Sequence, residues 1–300
     1  MSETAERARR VVVVGCTHGN EKSGYWVVRA MQSNPERFRR DGLVVECLEA
    51  NPAAEERNLR YLDFDLNRCF GPELASERRD ARERVRALEI RDALGTPDLV
   101  IDVHNTTSAM GLTWILTSPD PWAWWLASRT AMQDARVRIL YTPETPETNV
   151  FLPSLGRSEL TLEIGPVAHG THDHRAAVAA VEQVHAILDL VAGAPAGFDP
   201  AAALRSVDFP YHLGLPSRDY PRDAQGRISA TIHESFRGGD YRPLRDGDPV
   251  FFDPVRRETI AYRGETVHPV FVGEAAYVEK GIAYTPTLLR RWDGGREVLA

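Results

Sequence analysis

The run Arg9-Arg10-Val11-Val12-Val13-Val14-Gly15 constrains this chain more than any other feature. Consecutive β-branched residues closed by glycine read as a buried strand. Further runs of this kind follow: LVVECLE (43–49, closed by Asn51-Pro52), DLVIDVH (98–104), LTWILTS (112–118), RVRILY (136–141) and LTLEIG (160–165). Helical segments lie between them: GYWVVRAMQ (24–32), SERRDARERVRALEIRDAL (76–94), PWAWWLASRTAMQ (121–133) and about 174 to 192. Residues 53–70 read as irregular. Strands alternating with helices imply an α/β fold with a mostly parallel sheet flanked by helices. The stretch AGAPAGFDPAAA (192–203) reads as a linker. Beyond it, the short runs VFF, TIAY and VHPVFV are separated by turns such as RDGD and YRGE, which predicts a smaller β-rich domain. The expected division is 1–200 and 204–300.

Composition narrows the function classes. With 43% hydrophobic and 26% charged residues the chain reads as an ordinary globular protein. On this reading no apolar run approaches the ~20 residues of a membrane helix, and MSETAERARR lacks an apolar signal-peptide core. A cytoplasmic protein with no membrane partner is the expectation. Cys16, Cys47 and Cys69 have no CxxC spacing, which argues against a disulfide framework or a cysteine zinc site. A net charge of -7 does not favour a nucleic-acid partner. An anionic substrate would need local cations for its capture.

Several polar groups stand where strands end, the position at which open α/β sheets bind ligands. His18 and Glu21, in His18-Gly19-Asn20-Glu21, follow the first strand and place an imidazole and a carboxylate within reach of one metal ion. His104, at the end of DLVIDVH, can face the same crevice. Asp102, on its side of the strand, can orient it or serve as a polar strand end. Glu163 lies inside an apolar strand, where a carboxylate is costly unless paired or protonated. It reads as a general base or as a salt-bridged structural acid. Arg60, Asn67 and Arg68 offer guanidinium and amide donors suited to a carboxylate or a developing oxyanion, or else belong to a solvated loop. Tyr277, Glu279 and Lys280 carry no intrinsic signal. The cluster His169, His172, Asp173 and His174 is a rival metal site, more simply read as a polar loop capping a helix. His185, His212, His233 and His268 read as structural.

Taken in order, HGNE, DLNR, DVHNTTS, LEIGP and AAYVEK resemble the aspartoacylases, which share a wider family with the succinylglutamate desuccinylases and resemble zinc carboxypeptidases in fold. The matches run from residue 18 to residue 280. The resemblance implies a zinc-carboxypeptidase-like domain and a β-rich domain that narrows the substrate channel. It implies one zinc ion per chain, held by His18, Glu21 and His104. Glu163 would be the general base that later protonates the leaving amine, and Arg60 would polarise the scissile carbonyl. Asn67 and Arg68 would bind the amino-acid carboxylate, with Tyr277 and Lys280 completing the substrate contacts.

The implied reaction is zinc-dependent hydrolysis of an N-acyl amino acid such as N-acetylaspartate, a small-molecule partner. A desuccinylase-like or carboxypeptidase-like hydrolase and an inactive ligand-binding homologue are the alternatives, and a homo-oligomer is left open. One departure bears on specificity. Where aspartoacylases carry a substrate-binding Arg ahead of the Glu-containing strand, this chain has Pro153, and their upstream Tyr falls on Asn149. Arg157 is the nearest cation that a bend of the loop could bring inward.

Overall fold

The computed structural model describes residues 8–71, 80–294 and 296–298. Strands β1 (Arg9–Gly15), β2 (Leu43–Glu49), β3 (Leu99–Asn105), β4 (Gly111–Leu116), β5 (Val137–Tyr141) and β6 (Ser158–Gly165) alternate with helices α1 (Lys22–Ser33), α2 (Pro52–Glu56), α3 (Arg82–Leu94), α4 (Pro121–Gln133) and α5 (His174–Gly193). A short helix α6 (Pro200–Leu204) precedes β7 (Asp208–Gly214), and β8 (Thr231–Ile232), β9 (Pro249–Asp253), β10 (Glu258–Ala261), β11 (Thr287–Asp293) and β12 (Arg296–Val298) complete the chain. The strands and helices expected up to residue 193 fall within a few residues of these bounds, but the run VHPVFV (267–272) forms only isolated bridges and the stretch read as irregular opens with α2. The helix expected from 76 begins at Arg82 among the described residues, and 76–79 lie outside them.

Nine strands form one sheet in the order β12-β11-β7-β5-β4-β6-β3-β1-β2, and β10-β9-β8 form a small second sheet. β1 runs parallel to β2 and β3, and β3 parallel to β6. β4 runs antiparallel to β6. β7 and β11, both from beyond residue 204, pair antiparallel with Gly214 opposite Thr287. β7 also continues the main sheet beside β5. The sheets therefore do not divide at 204. The late strands complete the first sheet because β5 would otherwise expose an unpaired edge, and only residues between β7 and β11 form the separate β-rich unit.

The two faces of the main sheet differ. On one, Val11, Val13, Ile101, Val103, Trp114 and Leu162 pack with α1, α4 and α5 in a continuous apolar core. α5 is long and apolar enough to cross a membrane by length and composition, so such a run does exist. Its buried residues, including Ala180, Val184, Ile187 and Leu188, belong to this core. On the other face Val12, Val14 and Val100 pack with Ile90 and Leu94 of α3. The same face carries Thr113, Glu163 and Thr161, and the β-rich unit lies across it. Period-two alternation thus sorts each strand into a packing side and a chemical side.

Candidate active site

The loop after β1 is set by close packing. A Cβ on Gly15 would lie 2.2 Å from the carbonyl oxygen of Gly24, and one on Gly19 would lie 2.2 Å from the Ala54 backbone. Side chains at either place would push α1 or α2 away. Lys22 is buried and donates to Gly19 O at 2.9 Å and to the Glu55 carboxylate at 2.8 Å, locking this loop to α2. The irregular segment around residue 60 is held by Glu83 of α3, whose carboxylate accepts from the backbone N–H of Leu62, Asp63 and Phe64 at 2.6, 3.0 and 3.1 Å.

His18, Glu21 and His104 come together and are buried, with ligand atoms within 4.8 Å of one another. Glu21 Oε1 lies 2.8 Å from His18 Nδ1, and Glu21 Oε2 lies 2.8 Å from His104 Nδ1. The outer ring nitrogens face carboxylates: His18 Nε2 is 2.9 Å from Asp65 Oδ1, and His104 Nε2 is 2.8 Å from Asp102 Oδ2. Thr17 Oγ1 donates to the other Asp102 oxygen at 2.8 Å. A neutral imidazole that donates Nε2–H outward presents a lone pair on Nδ1. The two Nδ1 atoms, 3.1 Å apart, then converge with the Glu21 carboxylate as one donor set. That donor set fits a divalent cation, zinc above all, with an outer carboxylate behind each histidine. Burial opposes a charge on His104, but Asp102 and Glu21 outweigh it and hold its pKa well above the ordinary value.

Glu163 lies across from Thr113 on β4 and beside His104 on β3. Burial pushes its carboxyl well above the usual carboxylate range, and the charge of Glu21 adds to the effect. A raised carboxyl pKa suits a group that must both accept and return a proton.

Arg60 donates to Glu21 Oε1 at 2.8 Å and to Asp65 Oδ2 at 3.4 Å, and its Nε is buried without a partner. Burial works against its charge, but Glu21 and Asp65 raise its pKa further still. Lys280 reaches Asp65 Oδ2 at 3.1 Å, so the substrate contact expected of it is joined to the carboxylate that orients His18. Asn67 accepts from Leu152 N at 2.9 Å through Oδ1, leaving its amide N–H2 for the cavity. Arg68 donates to Asn67 O at 2.8 Å and stacks over Phe151. Tyr277, half-buried, packs its ring against Phe271.

All nine expected site residues line one cavity of about 470 Å³. From the His-Glu-His end it extends along the sheet past Thr161, Ile115, Leu140 and Thr117, under Leu215, Phe271 and Ile282 of the β-rich unit.

The cation expected to replace the missing specificity arginine is elsewhere. Arg157 is exposed, donates its backbone N–H to Pro97 O and lies 3.7 Å from Asp98. It precedes β6 at the end opposite Glu163, so no bend of its loop brings it to the cavity. Asn149 is buried and holds Glu159. The rival histidines do not converge on a metal site: His172 packs edge-on to Tyr25 and Trp26, and Asp173 caps α5 by accepting from Ala176 N at 2.8 Å.

Three groups escaped the sequence reading. Asp65 supports His18 across 47 positions of chain. Glu274, buried, accepts from Thr107 N at 2.7 Å, Thr107 Oγ1 at 3.0 Å, Ala276 N at 2.9 Å and Thr106 Oγ1, tying the Ala275–Lys280 turn to the loop after β3. Asn105 lines the cavity with a buried Nδ2 that has no partner. For Glu274 the available signal was its place just before AAYVEK; for Asp65, its place at the head of DLNR.

Comparison with known proteins agrees with this geometry. Residues 7–191 match the succinylglutamate desuccinylase/aspartoacylase catalytic domain, and 215–287 match the AstE/AspA barrel-sandwich hybrid domain. An N-acyl-aromatic-L-amino acid amidohydrolase (carboxylate-forming) of Xenopus tropicalis is 37% identical, over 93% of this chain and 92% of that one. A probable aspartoacylase of Acaryochloris marina is 34% identical, over 92% and 94%. The crystal structure of murine aminoacylase 3 superposes with a TM-score of 0.84 at 29% identity, covering 96% of this chain and 97% of that one. With its catalytic and hybrid parts both matched, the chain belongs to the succinylglutamate desuccinylase/aspartoacylase family.

Proposed function

We propose that this chain is a zinc-dependent amidohydrolase that splits N-acyl amino acids into a carboxylate and the free amino acid, with an apolar or aromatic side chain preferred over that of aspartate. The observation that carries the reading is one cavity joining His18, Glu21, His104 and Glu163 to a carboxylate-binding Arg68 and an apolar arm. Arg68 is the arginine of this cavity with no ion pair among the described residues, since Arg60 is engaged with Glu21 and Asp65. The relative from Xenopus tropicalis is named for aromatic substrates, which fits the Leu140, Phe271 and Ile282 lining.

His18, Glu21 and His104 would hold zinc, which when bound would supply Lewis-acid polarisation of the scissile carbonyl and of a water nucleophile near neutral pH. Glu163 takes a proton from the attacking water and returns it to the departing amine nitrogen. Arg68 and the Asn67 amide hold the α-carboxylate through charge-assisted hydrogen bonds. Arg60, already facing the ligand carboxylate, adds positive charge where the oxyanion develops. Tyr277 closes the cavity wall over the substrate.

The test is a panel of N-acetyl amino acids with zinc-loaded protein, following acetate release, alongside metal analysis. The expected result is close to one zinc per chain, turnover of N-acetyl-L-phenylalanine above that of N-acetyl-L-aspartate, and loss of both zinc and turnover in His104→Ala. Full zinc retention in that variant would overturn the ligand set. Release of C-terminal residues from peptides without acetate release would overturn the amidohydrolase reading.

A further inference from the structure

The face of β6 that carries Glu163 carries two more residues by strand alternation, Thr161 and Glu159. Thr161 lines the cavity opposite Ile115 of β4. Glu159 is next along the same face and is buried, 7% exposed. Its contacts are with neutral donors. The Asn149 amide reaches its two oxygens at 3.1 and 3.2 Å, and the Thr117 hydroxyl donates to Oε1. Asn149 Nδ2 also lies 3.3 Å from Thr117 Oγ1, so the three side chains form a closed cluster. Among the described residues no cation pairs with Glu159. A buried carboxylate without a counter-charge is costly to keep, and here it sits one residue beneath the apolar arm, with Thr117 reaching both the cluster and the cavity.

A second acid stands above it. Glu144, half-buried, lines the arm, its backbone N–H bonded to Thr117 O at 2.8 Å, and it too has no ion-pair partner among the described residues. The cationic side chains of the cavity, Arg60, Arg68 and Lys280, are lodged around Asp65 and Asn67 at the opposite end. The field in the arm is therefore negative, inside low-dielectric walls that screen it poorly.

We infer that Glu159, seated by Asn149 and Thr117, and Glu144 above it are specificity-determining residues that exclude a second carboxylate from this arm. The inference rests on the amidohydrolase reading above for its substrate class. It explains why the loss of a cation at Pro153 is not made good by another: the arm is built to repel the group that such a cation would bind.

Glu159→Gln preserves shape and leaves one oxygen to accept from Thr117 and Asn149 while removing charge, and Glu144→Gln removes charge at the rim. Each is measured in two ways on zinc-loaded protein. The first is the ratio of kcat/KM for N-acetyl-L-aspartate to that for N-acetyl-L-phenylalanine. The second is the calorimetric ratio of affinities for the free products, L-aspartate and L-phenylalanine. Glu159→Gln should raise both ratios in favour of aspartate on the order of tenfold, the scale of one nearby charge in a poorly screened site. Glu144→Gln should raise them by about threefold, being nearer solvent. Ratios within about twofold of wild type in both variants, with zinc content unchanged, would overturn the inference. Should Glu159→Gln fail to fold, Glu144→Lys decides, because a cation at the rim must shift both ratios towards aspartate or the inference fails. If neither N-acyl substrate releases acetate, the amidohydrolase reading is lost, while the product-binding ratios still judge the two acids.

Discussion

At one end of the cavity the two histidines and the acid behind His18 are each held at least twice. His18 faces Glu21 and Asp65, His104 faces Glu21 and Asp102, and Asp65 also receives Arg60 and Lys280. In the arm, Ile115, Leu140, Phe271 and Ile282 offer apolar surface, and Glu144 and Glu159 have no ion-pair partner among the described residues. The contrast separates two tasks. Chemistry needs groups fixed to a fraction of an ångström, which a closed hydrogen-bond network provides. Choice among side chains needs shape and field, which a greasy channel over a buried charge provides. Damage at the first end should therefore abolish or slow all substrates alike, and damage at the second should reorder them.

The largest effect belongs to the base. Glu163→Gln should lower kcat by ~10²–10⁴ for aspartyl and phenylalanyl substrates equally, with zinc content unchanged. A variant that spared one substrate would place Glu163 in selectivity and break the division. Next comes the support behind the first histidine. Asp65→Asn keeps the contact to His18 but removes its charge, and should weaken zinc affinity by roughly 10–100-fold. Competition with a chelator reads this directly, and unchanged affinity would make Asp65 a loop anchor alone.

A smaller effect is expected where the β-rich unit joins the site. Glu274→Ala leaves the Thr107 and Ala276 N–H groups without their acceptor, at a cost of about 1–3 kcal/mol. Because the turn bearing Tyr277 and Lys280 is then loosened, KM should rise about tenfold for every substrate while zinc binding holds. Glu274→Asp should recover part of the loss. A selective change in aspartyl substrates alone would move Glu274 into the arm's field.

The smallest effect lies away from both ends. His212 is buried against His268 and Tyr241, and burial, with the nearby His268 and Arg138, lowers its pKa to about 3. Thr287 Oγ1 donates to His268 O, so His212 Nδ1 donates to Thr287, and the lowered pKa keeps the ring neutral near pH 7. Between pH ~6.5 and about 3 the unfolded chain takes up a proton that the folded one refuses. The stabilising contribution is thus complete above pH ~6.5 and declines as pH falls, by up to ~1.4 kcal/mol per unit. Urea unfolding at pH 7.5 and 5.0 should show wild type losing more stability than His212→Gln, by on the order of 1–2 kcal/mol. Equal losses would show that the ring is solvated.

Much of the His-Glu-His end was legible because its residues stand at strand ends or just beyond, where sequence position and spatial position coincide. His18 and Glu21 follow β1, and His104 and Glu163 lie near the ends of paired strands. What could not be read is what depends on distant pairing. Asp65 behind His18 and Glu274 behind Thr107 are partners that no local spacing announces. Arg157 stands away from the cavity for the converse reason. It is close in sequence to Glu163, but a strand separates them, and a strand sends its two ends apart. A change in composition such as that near 204 marks where local character alters, not where a strand finds its partner; β7 and β11, from beyond it, finish the sheet.

The pairing of Gly214 with Thr287 has a further consequence. Everything between these two positions leaves the sheet and returns to it at one rung, so the whole roof of the channel is topologically an enlarged hairpin loop. Such an excursion can lengthen, shorten or be exchanged between relatives without disturbing the strands on either side. The floor and the roof thus meet along the chain at a single ladder step, while side chains such as Glu274 and Lys280 join them across the channel.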